Sequence, residues 1–276
     1  MSRRALIAGI GAGAAATAFG GYWNSESLHV TRETLRLPRW DADGFRVVQI
    51  SDIHANTPEQ AKRAKEAMRL AVAEKADLIA FTGDFLDFAT PEACGHVKAV
   101  MAELHDATCP VYGVFGNHDW YCNDTTRLHD AIRHSRMKML YNRVVDVDGV
   151  TLFGIDDALA HRQRPHVIDR DRSSGSVLAL FHEPDYVSTV PDFVSLQLSG
   201  HSHGGEVCLP FGIPLVRRPG ARKYIAGFYP DAKVPLYVSK GVATCAAFRF
   251  FCPPEINVLT LTGDGSSAKH DRPIGV

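Results

Sequence analysis

Apolar and polar positions follow two regimes along the chain. In the first, apolar strands alternate with helical periodicity. A short strand is predicted at Thr34 to Leu37, and Phe45 to Ile50 predicts a strand ending at Ser51-Asp52-Ile53-His54. Pro58 to Lys75 carries Ala, Met and Leu at helical spacing behind a first-turn proline, which predicts an amphipathic helix. The alternation goes on with a strand at Asp77 to Phe81, a helix at Pro91 to His105, a strand at Val111 to Phe115 and a helix at Asp124 to His134. This is an α/β beginning. From about Met139 the second regime is strand-rich: Val144 to Val147, Val150 to Ile155, Val177 to Phe181, Val194 to Leu198, Leu236 to Ser239 and Ile256 to Leu261. A second sheet accounts for these runs, with Gly149 turning the first two into a hairpin. The irregular stretch Asp156 to Ser176 is a candidate substrate loop, or simply a solvated one.

Composition bounds this picture. The 276 residues, 45% hydrophobic and 22% charged, supply a real core for one catalytic domain, expected over residues 30–263 with a flexible tail over 264–276. A formal net charge of -1 gives no general platform for nucleic acid, so any phosphate preference must be local. The six cysteines form no C-x-x-C pair, and buried free thiols are expected.

Residues 1–26 are set apart. Ser2-Arg3-Arg4-Ala5-Leu6-Ile7 is followed by a Gly/Ala-rich stretch with no charge before Glu26, and Ala16-Thr17-Ala18 offers small residues for cleavage. The arginine pair resembles a twin-arginine export signal, which makes the twin-arginine translocase an expected partner. The alternative is an uncleaved membrane anchor, since Ala5 to Trp23 approaches the ~20 residues that span a bilayer. Either way the domain is expected outside the cytoplasm, periplasmic or on the outer face of the cytoplasmic membrane.

The chemistry lies where the strands end. Asp52-Ile53-His54, Gly83-Asp84-Phe85-Leu86-Asp87, Gly116-Asn117-His118-Asp119, His182 and Gly200-His201-Ser202-His203 each follow an apolar strand. In α/β sheets ligands bind outside the carboxyl ends of strands, so these clusters can meet in one site. Residues two apart in extended chain point the same way, so Asp52 with His54, and His201 with His203, can face one metal pair, whereas Asn117 and His118 should do different jobs. Two carboxylates, an amide oxygen and four imidazoles without thiolate suit Mn, Fe, Zn or Co better than Ca or Mg. Two such ions, two Asp and a bridging hydroxide leave about +1 formal charge, which attracts phosphate, and lower the pKa of bound water toward about 7.

These five clusters, in this order, resemble the calcineurin-like metallophosphoesterases, whose motifs run D-x-H, G-D-x-x-D, G-N-H-[D/E], H and G-H-x-H. The resemblance implies a four-layer α/β/β/α arrangement of two mixed sheets flanked by helices. It implies a phosphodiesterase or pyrophosphatase using two divalent ions and a bridging hydroxide. Asp52, His54, Asp84 and His203 would hold one ion, and Asp84, Asn117, His182 and His201 the other, with Asp84 bridging. His118 would face the substrate, with Asp119 or Asp87 orienting it. Gly204-Gly205, Leu209-Pro210-Phe211-Gly212 and Arg249 to Glu255 look like an exported or membrane-associated bacterial subgroup. Some of its members hydrolyse the UDP-diacylglucosamine pyrophosphate bond of lipid A synthesis and others are general phosphodiesterases. The chain departs from the subgroup at Cys208, where Arg is common, and at Gly241-Val242-Ala243, where a second Gly is usual.

Other features carry weaker expectations. Arg217, Arg218, Arg222 and Lys223 are either a solvated loop or a contact for substrate phosphate or an anionic membrane. Trp120 and Tyr121 can stack on a leaving group or be buried beside the site, and Phe248, Phe250 and Phe251 are expected in the core. The substrate is expected to be a phosphorylated small molecule or a lipid-linked one. The reading from another class, a silent envelope scaffold, predicts lost ligands, and none is missing here.

Overall fold

The computed structural model describes residues 27–167, 175–244 and 248–265. The leader expected over residues 1–26, nearly all of the expected tail and positions 168–174 of the candidate substrate loop lie outside them. No helix among the described residues is long and apolar enough to cross a membrane.

Two six-stranded mixed sheets form the molecule. The first contains β1 (His29–Leu37), β2 (Phe45–Ile50), β3 (Leu78–Phe81), β4 (Val111–Gly113), β5 (Met137–Met139) and β14 (Glu255–Gly263), in the order β1-β14-β2-β3-β4-β5. The second contains β6 (Arg143–Val147), β7 (Val150–Gly154), β8 (Val177–Leu180), β9 (Leu196–Ser199), β12 (Gly227–Tyr229) and β13 (Leu236–Val238), in the order β12-β13-β9-β8-β7-β6. A two-stranded ribbon, β10 (Cys208–Leu209) with β11 (Ile213–Pro214), stands apart. The helices are α1 (Pro58–Ala73), α2 (Pro91–Met101), the short α3 (Asn117–Tyr121) and α4 (Thr125–Ile132).

Successive side chains of each central strand enter different cores, which is why these runs are continuously apolar rather than alternating. Val48, Ile50, Ile79 and Phe81 pack with Ala64, Met68 and Val97 of the helices. Their neighbours Val47, Leu78 and Ala80 pack between the sheets against Leu152, Leu178 and Leu198. On the far side of the second sheet, Phe153, Ala179 and Phe181 are covered by Val187, Val190 and Tyr224. Helices thus cover the first sheet, and among the described residues the fourth layer is a 3₁₀ turn, Pro184–Thr189, with loops. Thr57 starts α1 with a capping box to Gln60, and Thr90 and Asp124 cap α2 and α4, so each helix begins where its sequence signal lies.

The strand expected at Ile256 to Leu261 belongs to the first sheet, not the second. It inserts as β14 between β1 and β2, parallel to the former and antiparallel to the latter. This pairing also extends the short strand expected at Thr34 to Leu37 into the nine-residue β1, whose partly polar face lies at the sheet edge.

Candidate metal centre

Strands β2, β3, β4, β8 and β9 end on one side of the sheets, and the five polar clusters meet there. The sheets are stitched beneath the site by the buried Gln49, whose Nε2 donates to Ser199 O at 2.8 Å and Thr82 Oγ1 at 3.1 Å. Backbone bonds then zip two site loops together: the N–H groups of Asp52, Ile53 and Ala55 donate to the carbonyls of Gly83, Asp84 and Phe85 at 2.8–2.9 Å.

The segments are not extended, as the i, i+2 argument assumed. Asp52, His54, Asp84, His201 and His203 all have left-handed backbone, with φ between 34° and 66°. Such conformations cost of order 1 kcal/mol or more for each non-glycine residue, and they are retained here because the loop hydrogen bonds over-determine them. Glycine is required beside them for closeness of approach. A Cβ on Gly116 would fall on Asp84 Oδ1 and lie 2.7 Å from His182 Nε2, and one on Gly200 would fall on Ser51 Oγ and Asp52 Oδ2.

Two groups of donors result. Asp52, His54, Asp84 and His203 present ligand atoms within 4.8 Å of one another, as do Asp84, His182 and His201. Asp84 is common to both. Its Oδ1 accepts from the His118 N–H at 3.0 Å, while Oδ2 lies 3.5 Å from His54 Nε2 and 3.2 Å from His182 Nε2. The tautomers are set from behind, where His182 Nδ1 meets the Thr82 carbonyl at 2.6 Å and His201 Nε2 the Pro219 carbonyl at 2.7 Å. A carbonyl only accepts, so both nitrogens are donors. This directs His182 Nε2 and His201 Nδ1 toward each other, 3.2 Å apart and beside Asp84. Only added positive charge reconciles these groups. Burial opposes the charged form, yet Asp84 pushes the His182 imidazole well above its usual range, so positive charge is favoured beside Asp84. Burial and their histidine neighbours hold His201 and His203 low, in the neutral form that binds metal. The buried Asn117 Oδ1 has no hydrogen-bond partner in the structure, as suits an amide oxygen kept for an ion. The residues present therefore fit two divalent ions.

His118 differs from these buried groups. Its side chain is 35% exposed, and its Nδ1 lies 2.7 Å from Asp87 Oδ1, so Nε2 is the ring nitrogen outside that contact. The same Asp87 oxygen lies 2.9 Å from His54 Nδ1. Of the two carboxylates considered for orienting His118, Asp87 is the one in contact. Asp119 turns inward and accepts from the N–H groups of Asp84, Phe85 and Gly116 at 2.7–2.9 Å, tying the second cluster to the third. Burial and the Asp84 carboxylate push it up to about 7.

Several participants were not foreseen. Asn56 fixes Asp87 twice, donating to Oδ2 at 2.6 Å and accepting the Asp87 N–H at 2.8 Å; its position two residues beyond His54 was the available signal. Behind His182, Glu183 accepts from the N–H groups of Ala158 and Leu159, and burial first and the neighbouring Glu183 second push Asp157 up to about 10. Arg249 is fully buried and donates to the carbonyls of Lys240 at 2.7 Å, His203 at 3.3 Å and Ala243. It joins the His203 turn to the loop after β13. Arg249→Ala takes the side-chain donor from the Lys240 and Ala243 carbonyls and should cost about 3 kcal/mol or more, a melting temperature lower by roughly 6–12 °C for a domain of this size, measurable by calorimetry.

The weaker expectations divide. Arg218 is half-buried against Glu206, 2.9 Å away, and the exposed Arg217 donates to the Arg222 carbonyl. Trp120 is covered on one face by the Arg162 guanidinium, 3.7 Å from the ring centroid, and donates to Asp156, whereas Tyr121 is exposed. The Phe248, Phe250 and Phe251 expectation is corrected. Phe248 is exposed and the other two only half-buried, because the buried Arg249 between them takes the inward position. The five described cysteines are free and buried.

Two imidazole–carboxylate groups sharing one Asp, at the carboxyl ends of strands from two packed sheets, define a dinuclear metallohydrolase. The chain belongs to the calcineurin-like phosphoesterase family, whose profile matches residues 45–205. It is 31% identical to the metallophosphoesterase YkuE of Bacillus subtilis, an alignment covering 95% of this chain and 98% of that one. It is 26% identical to the phosphodiesterase YaeI of Escherichia coli, over 85% of this chain and 88% of that protein. It is 25% identical to the UDP-2,3-diacylglucosamine pyrophosphatase LpxG of Chlamydia muridarum, over 84% and 88% respectively. The protein is a metal-dependent phosphoester hydrolase with two divalent ions as cofactors.

Proposed function

We propose that the chain cleaves a phosphodiester outside the cytoplasm, after export by the twin-arginine route, and that Mn, Fe, Zn or Co serves as the ion. The observation that carries the reading is the position of Asp84 Oδ2 between imidazoles of both donor groups, with His118 on the open side. In this reading Asp52, His54, Asp84 and His203 hold one ion, and Asp84, Asn117, His182 and His201 the other. The ions, when bound, supply Lewis acidity toward the phosphoryl oxygens and lower the pKa of water. His118 Nε2 contacts the phosphoryl group or protonates the leaving oxygen, Asp87 keeps the imidazole turned outward, and Asp119 positions the loops. The likeness to YaeI supports a diester substrate, and the arginine pair at Arg3-Arg4 supports export.

A second reading, favoured by the likeness to LpxG, is hydrolysis of a lipid-linked pyrophosphate such as UDP-diacylglucosamine. The Mn-loaded protein is expected to cleave bis-p-nitrophenyl phosphate. A screen of nucleotide diesters, sugar-nucleotide pyrophosphates and phospholipids separates the two substrates, and turnover confined to the pyrophosphates would overturn the diester reading.

A further inference from the structure

The segment between His203 and Gly220 leaves the metal centre and returns to it. It departs through the His203–Gly205 turn, rises as β10, turns at Pro210–Gly212 and descends as β11. On its return the Pro219 carbonyl accepts from His201 Nε2. The base is fastened: Leu215 N–H donates to Val207 O at 3.0 Å, Cys208 N–H to Phe250 O at 2.9 Å, and Arg218 to Glu206. The hairpin is therefore a short arm built onto the two histidines that end the last ligand motif.

Its tip is apolar and faces water. Phe211 is fully exposed at 101%, on left-handed backbone that turns the ring away from the body, and Leu209, Ile213, Leu215 and Val216 are also exposed. A cluster of this kind on a water-soluble surface marks an interaction site. The chemistry of its surroundings indicates which. From Val207 to Tyr224 the chain has four cationic residues and no acidic one, within a protein of net charge -1. Arg217, Arg222 and Lys223 are exposed, and Arg217 Nη1 donates to the Arg222 carbonyl at 2.7 Å, which brings these cations together where the hairpin returns. Among the described carboxylates near it, Glu206 is matched with Arg218, Asp185 accepts the backbone N–H groups of Arg222, Lys223 and Tyr224, and Glu183 is buried and accepts from the N–H groups of Ala158 and Leu159. Large apolar side chains beyond a cationic collar match an interface where hydrocarbon lies under negative headgroups.

We propose that the 208–216 hairpin inserts into the surface of an anionic bilayer, with Arg217, Arg222 and Lys223 on the headgroups, and so seats the metal centre against the headgroup layer. Its consequence for substrate choice, a phosphoester borne by a lipid, rests on the functional reading above; the insertion does not.

The test uses the full chain carrying Phe211→Cys labelled with an environment-sensitive dye, with Glu66→Cys on α1 as the control position. Vesicles of phosphatidylglycerol should shift the emission at position 211 to the blue and shield the dye from iodide, whereas phosphatidylcholine vesicles and the control position should show neither. Arg222→Gln with Lys223→Gln should weaken the response about 30-fold, each cation contributing about a factor of 5. A dye at 211 that stays accessible to iodide on vesicles that have bound the chain would overturn the proposal, because the leader alone would then be the anchor. So would a dye shielded before vesicles are added, since the leader or a second copy would be covering the tip. Phe211→Ser should retain turnover of the soluble bis-p-nitrophenyl phosphate, so failure of the hydrolase reading shows in that assay and failure of insertion in the dye.

Discussion

Asp84→Asn is expected to abolish turnover of bis-p-nitrophenyl phosphate, a loss of about 10³-fold or more, and to lower the metal content below two ions per chain. The two carboxylate oxygens of Asp84 have different partners. Oδ1 is occupied by the His118 N–H, so Oδ2 alone faces both His54 and His182. An amide must give up one of these functions. If its oxygen keeps the N–H, its NH₂ group meets the imidazoles and cannot ligate. If it flips, the NH₂ group opposes an N–H donor. In either case one negative charge leaves a site that must balance two divalent ions. Loss of an outer partner of a metal ligand already costs 10–100-fold, and Asp84 lies one shell nearer and touches both groups. Elemental analysis and diesterase assays measure the two effects, and far-UV circular dichroism should be unchanged. A variant with two ions and ordinary turnover would remove Asp84 from the bridging position.

The layout of the site was legible because its ligands sit at strand ends, and strand ends are marked by short apolar runs meeting Gly and polar residues. The strand at Phe45–Ile50 matches its expected bounds residue for residue. The position of β14 was not legible. Its sequence fits either sheet, and its place between β1 and β2 is decided by which partners remain unpaired more than 200 residues earlier in the chain. The exposed hairpin was not recognised as an element because two-residue strands leave no periodicity to read.

Within the site, residue type and order pointed to side chains that the structure brings together, but not to the contacts between them. Asp87 lies three residues after Asp84 and Asp119 one residue after His118, and neither spacing says which carboxylate meets the imidazole. What separates them is backbone direction. Asn117 to Tyr121 folds into a short helix, which turns Asp119 back to the N–H of Gly116 and away from the neighbouring imidazole. Asp52 and His54 fall in one donor group without the extended backbone that their spacing suggested, since both are left-handed. For His201 and His203 the same conformation sends one side chain to each donor group. A side chain alternates faces only in an extended strand, and these loops are curled so that five segments can converge.

His118→Ala is expected to lower kcat by about 10²–10⁴-fold while leaving two ions bound, which separates it from every change to a ligand. The imidazole is the exposed member of the cluster, and its Nδ1 is engaged by Asp87, so what is lost lies on the Nε2 side, to which the proposed function assigns the substrate. Asp87→Asn should cost less than His118→Ala. The amide can still accept through one oxygen, but it loses the charge that His54 and His118 share there, a change of about 10–100-fold. Because Asp87 acts through His118, the double variant should be little worse than His118→Ala alone, a departure from additivity that a double-mutant cycle reads directly. The cycle also tests the contribution through His54, since an Asp87→Asn variant that lost an ion would show a penalty persisting in the His118→Ala background. Additive losses with full metal content would mean that Asp87 contacts the substrate itself, and the orienting role would then have to be withdrawn.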